Sequence, residues 1–72
     1  MSLDGSLSVR VNGEQRLVQG GASVAEMLSH IGIDPGKVAV ERNLQIVPRS
    51  TLGEVTVEDG DIYEIVHFVG GG

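Results

Sequence analysis

The stretch Ser23-Val24-Ala25-Glu26 sets the terms on which this chain can fold. The Ser23 hydroxyl can accept the backbone N–H of Glu26 while the Glu26 carboxylate reaches back to the N–H of Ser23, the reciprocal pair of a capping box. Val24, Met27, Leu28 and Ile31 follow at a three-then-four spacing that gathers them on one face, and Gly32 is well placed as the left-handed residue that stops the helix. The expected helix is about two to three turns long. A helix that short has to cover a sheet.

The flanking segments read as that sheet. Leu7, Val9 and Val11 alternate with Ser8 and Arg10, and Asn12-Gly13 is a strong two-residue hairpin signal. The return strand is Gln15 to Val18, with Leu17 expected toward the core, and Gly20-Gly21 ends it. Beyond the helix, Asp34-Pro35-Gly36 turns the chain into a third strand, Val38 to Arg42, and Asn43 and its neighbours turn it again. Ile46-Val47 is a short extended piece ended by Pro48, which cannot donate to a ladder and so suits an edge. Ser50 to Leu52 is expected as a single helical turn. Val55 and Val57 lead into the acidic turn Glu58-Asp59-Gly60-Asp61, and Ile62 to Val69 is the longest β-like run. The order predicts an α+β domain of β-grasp (ubiquitin-like) type: a mixed sheet of four to five strands, one main helix on one face, first and last strands parallel at the centre.

Seventy-two residues allow one domain. Residues 1–6, MSLDGS, read as a disordered leader, 7–69 as the domain and 70–72 as a flexible glycine tail. A chain of this size buries only about 60% of its unfolded surface, which leaves no room for a deep catalytic cleft. With no cysteine there are no disulfides, thiolate metal sites or thiol-borne persulfides. The formal charge of −5 has the wrong sign for a phosphate backbone, and no apolar run is long enough to span a bilayer. Neither nucleic acid nor membrane is an expected partner, and the expected location is cytoplasmic.

Side chains that could carry chemistry are few. His30 and His67 have no further ligands at metal spacing, and Gly20-Gly21 lacks the lysine and spacing of a phosphate-binding loop. Glu58, Asp59 and Asp61 read as a solvated acidic turn in preference to a cation site. The last strand says more. If Tyr63 and Ile65 point inward, Val66 and Phe68 lie on the open side of the sheet and form either a docking surface or a patch covered by loops, with Val69 at the end of the strand a further docking candidate. After them come Gly70, Gly71 and Gly72, a thread no wider than the backbone that could carry a carboxylate into a narrow channel. A carboxylate needs activation, for instance as an acyl-adenylate, and that chemistry belongs to a partner enzyme. Composition alone favours a frayed end.

The stretches VAVERN, IVPR, EDGD and IVHFVGGG, with NGE after the first strand and SVAEML on the helix, resemble the ThiS family of thiamine-biosynthesis sulfur carriers from Leu7 to Gly72. The resemblance implies a non-enzymatic protein substrate. Gly72 would be adenylated with ATP by an E1-like enzyme of ThiF type, loaded with sulfur from a donor such as a cysteine desulfurase system, and presented as a thiocarboxylate to thiazole synthase of ThiG type. Gly70 and Gly71 would thread into the partner's active site, and no cofactor or metal would be bound. Arg42, Asn43, Pro48 and Arg49 belong to the similar stretches, with turn formation and surface pairing preferred over partner recognition as their role. The alternatives are a carrier like the molybdopterin synthase small subunit, or a ubiquitin-like modifier or binding module.

Overall fold

The computed structural model describes residues 5–68. Five strands form one sheet: β1 (Ser6–Val11), β2 (Glu14–Gln19), β3 (Val38–Arg42), β4 (Gln45–Val47) and β5 (Ile62–His67), in the order β2-β1-β5-β3-β4. β1 and β5 run parallel beside each other, and the other neighbours are antiparallel, as the expected β-grasp arrangement requires. The helix α1 (Val24–His30) covers one face, and single 3₁₀ turns occupy Pro35–Lys37 and Arg49–Thr51.

Both ends of α1 are capped. The first three N–H groups, of Val24, Ala25 and Glu26, donate to Val55 O, Leu52 O and Ser23 Oγ, while Glu26 Oε1 accepts the N–H of Ser23. The capping box therefore forms as expected, and the loop over 52–57 is tied to the helix start. These bonds hold the Glu26 carboxyl below its usual range, the Ser23 backbone N–H contributing most. At the other end Gly32, at φ +85, closes a Schellman motif in which Ile33 N–H reaches Leu28 O and Gly32 N–H reaches Ser29 O. Seven residues would not hold a helix in isolation, so its stability comes from burying Val24, Met27 and Leu28.

These three meet Val9, Val11, Val18, Val38, Val40, Tyr63 and Ile65 from the sheet, closed at the side by Leu52 and Val57. The expectation for Leu17 is overturned: it is 68% exposed and Val18 is buried instead. The hairpin sets this. Asn12 and Gly13 both take positive φ, 50 and 84, so Val11 pairs directly with Glu14 and odd residues of β1 face even residues of β2. Val18 thus sits beside inward Leu7, and Leu17 beside Ser8 on the open face.

The expected leader is also shortened. Ser6 opens β1, and Gly5 accepts a 3.0 Å hydrogen bond from Gly20 N–H. The approach is so close that a Cβ at Gly20 would lie 2.8 Å from the Gly5 carbonyl oxygen, so that position of the turn admits only glycine without a shift of the backbone. Residues 1–4 and 69–72 lie outside the described residues.

Candidate functional site: the end of the last strand

β5 is the central strand and the one that leads to the glycine end. Its odd positions, Tyr63 and Ile65, are buried against the helix, which places Val66 and Phe68 on the open side, 64% and 53% exposed. Of the proposed docking residues these two are thus accessible. Val69, and the tail residues Gly70, Gly71 and Gly72, fall outside the described residues.

Phe68 lies just beyond the ladder but is held at two points. Its N–H donates to Lys37 O at 3.1 Å, extending the β3–β5 pairing by one step, and the guanidinium carbon of Arg49 stands 4.9 Å from the centre of its ring. A cation at that distance is attracted by the ring face. Ile46, Pro48 and Arg49 line, with Val38 and Ala39, the hollow beside Phe68. The sequence had Pro48 and Arg49 as turn and surface residues; that Arg49 stacks on the last aromatic before the tail was not visible in it.

The other end of β5 is anchored by a network centred on Asp61, which is only 5% exposed. Its Oδ2 accepts hydrogen bonds from Arg42 Nε (2.9 Å), Tyr63 OH (2.8 Å) and Glu58 N–H (2.9 Å), and its Oδ1 from Asn43 Nδ2 (3.0 Å). Arg42 also pairs with Glu58 at 2.8 Å. The reading of Glu58, Asp59 and Asp61 as one solvated turn is therefore corrected for Asp61, the structural acceptor of the fold. Burial alone would raise its pKa, but the bonds from Glu58, Asn43, Tyr63 and Arg42 outweigh it and hold the carboxyl below its usual range. The same network raises the Arg42 guanidinium, chiefly through Asp61, and burial followed by the Asp61 bond raises the Tyr63 phenol. Asp59 accepts from Ser8 N–H at 2.8 Å and Gly60 N–H donates to Ser8 O at 2.7 Å, so the turn is sewn to β1.

Two asparagines in left-handed turns complete the hold on β5. Asn12 exchanges both amide bonds with Ile65, its Oδ1 accepting from Ile65 N–H (2.7 Å) and its Nδ2 donating to Ile65 O (3.1 Å). Asn43 accepts from Ile62 N–H at 2.9 Å and returns its own N–H to Ile62 O at 2.8 Å. The final strand is thus fixed along its length, and Phe68 follows it directly from the centre of the sheet. Among the described residues no three His, Cys, Asp or Glu side chains gather as a metal-holding group, and no helix is long and apolar enough to cross a membrane.

A five-stranded mixed sheet with parallel central strands, one capped helix and a rigidly held last strand defines a β-grasp protein of ubiquitin-like class. Comparison narrows the class to a family: a model of the ThiS family matches residues 9–72, and the chain belongs to that family. The sulfur carrier protein ThiS of Bacillus subtilis is 40% identical over 50 residues, covering 69% of this chain and 76% of its own length. The crystal structure of a thiamine biosynthesis protein (ThiS) from Geobacter metallireducens superposes with a TM-score of 0.74 at 35% identity, covering 92% of this chain and all of that one. A thiazole synthase of Paramagnetospirillum magneticum is 52% identical over 62 residues, 86% of this chain. The match spans only 19% of that synthase, and 20% of a second one from Magnetococcus marinus.

Proposed function

We propose that this chain is a sulfur carrier of thiamine biosynthesis, a protein substrate and not itself a catalyst. The observation that carries the reading is the extent of the family match, which runs through residue 72 and so takes in Gly70, Gly71 and Gly72 together with the strand that presents them. The similarity to proteins named thiazole synthase favours the thiamine branch over a molybdopterin synthase subunit.

In this reading a Gly72 carboxylate oxygen attacks the α-phosphorus of ATP on an E1-like adenylating enzyme of ThiF type, and pyrophosphate leaves. A persulfide formed by a donor such as a cysteine desulfurase then displaces AMP from the acyl carbon, and a thiol reduces the resulting acyl disulfide, becoming a disulfide itself and releasing a thiocarboxylate that donates its sulfur to a thiazole synthase of ThiG type. The chain contributes position and shape. Asp61, Asn12 and Asn43 fix β5, Val66, Phe68 and Val69 meet the enzyme, and Gly70 and Gly71 pass through a channel too narrow for side chains. ATP is used by the activating enzyme, and the setting is the cytoplasm.

Intact-mass measurement after incubation with ATP, the E1-like enzyme and a sulfur donor tests this. The expected result is a gain equal to exchange of one oxygen for sulfur, absent when Gly72 is deleted. An unchanged mass with an enzyme that loads a known carrier would overturn it.

A further inference from the structure

The open face of the sheet carries an arrangement that stability alone does not favour. Glu41 on β3 and Glu64 on β5 are direct cross-strand partners, and like charges placed so repel. Among the described residues neither makes an ion pair, since the ion pairs there are Arg16–Glu14, Arg42–Glu58 and Arg42–Asp61. Of the other cations, Arg10 shares the face but stands opposite Ile62 and directs a guanidinium N–H to Gly13 O, Arg49 lies over Phe68, and Lys37 precedes β3, four residues before Glu41.

The two carboxylates rim an apolar floor. Ile46, 78% exposed, pairs with Glu41, and Ala39 pairs with Val66 in the next row, so the five side chains line one shallow hollow of about 160 Å³. An apolar floor with an anionic rim matches a long cationic side chain, whose methylenes lie on Ile46, Ala39 and Val66 while its charged head sits between the carboxylates. A second copy of this chain, with formal charge −5 and the same anionic rim, would be repelled.

The geometry points to this hollow as the seat for an arginine or lysine of the activating enzyme, with Glu41 and Glu64 as the specificity-determining pair. Val66 is two residues before Phe68, so the contact fixes β5 against the enzyme next to the tail. The inference rests on the carrier reading for its choice of partner.

Binding of fluorescently labelled chain to the cognate E1-like enzyme, across salt concentrations and beside the mass assay, tests it. Glu41→Gln/Glu64→Gln should weaken binding and raise KM about tenfold with kcat unchanged, flatten the salt dependence, and raise Tm because the repulsion is gone. A purely structural role cannot weaken binding while raising Tm. Glu41→Lys should weaken binding further. Variants that bind and react like the unaltered chain would overturn the inference while leaving the carrier reading intact. Binding that depends on the glutamates without any gain of sulfur would overturn the carrier reading alone, and absence of binding by the unaltered chain would overturn both. Self-association of the free chain, abolished by Ile46→Lys, would assign the face to a second copy and overturn the inference.

Discussion

Replacing Asp61 by asparagine keeps the shape of the side chain and removes the charge that Arg42 answers, while turning one acceptor into a donor among groups that all donate. The expected cost is about 3 kcal/mol or more, a large share of the roughly 4–11 kcal/mol available to a chain this size, and urea melts at pH 7 measure it. The pH dependence has a definite sign. The folded Asp61 pKa lies below the unfolded value of about 3.9, so its contribution is complete above that value and is lost as pH falls through the folded one. Stability of the unaltered chain should therefore drop steeply below about pH 4, with a shallower drop in Asp61→Asn; equal slopes would remove Asp61 from the account. One signal for this residue was present in the sequence. Asp61 shares the parity of inward Tyr63 and Ile65, so the alternation that set those two also pointed Asp61 at the core. Its four donors could not be read, because they converge from three separate segments.

Elements are where the sequence was most legible, since short-range chemistry decides them. The capping box, the left-handed Gly32, the Asn12-Gly13 hairpin and the Pro48 edge all act within a few residues. Leu17 is the exception, and it fails for a reason of register: inward Val9 and Val11 with a two-residue turn already require Val18 inward. Leu17→Lys should accordingly leave stability within about 0.5 kcal/mol, whereas Val18→Ala should lose about 1.5 kcal/mol, as thermal melts of the two variants would show. Asn12 illustrates the opposite limit. Its turn role is local, but its paired bonds to Ile65 depend on the parallel contact of the first and last strands, 53 residues apart. Asn12→Gly keeps the left-handed turn and removes both bonds, so an expected loss of about 1–3 kcal/mol isolates the bridge from the turn. Hydrogen exchange should show the Ile65 amide losing protection first.

At the scale of the molecule the last strand divides the labour between folding and function. Its start is locked by Asp61, its middle fills the core with Tyr63 and Ile65, and the buried apolar residues described here end at Ile65, three residues before Phe68. Stability is thus assembled ahead of the segment that the proposed chemistry uses. Deleting residues 70–72 should then leave Tm and the urea midpoint unchanged while abolishing sulfur loading, and Gly72→Ala should keep the fold but slow loading, because in the proposed reading a side chain would have to pass a channel that admits backbone alone. Circular dichroism melts and intact mass on the same samples separate the two effects. A deletion that lowered both stability and loading would mean that the tail belongs to the fold, and the carrier reading would lose its simplest structural support. Loading undiminished by the deletion would move the chemistry elsewhere on the chain, where the described residues offer neither a thiol nor a gathered set of metal ligands to receive it.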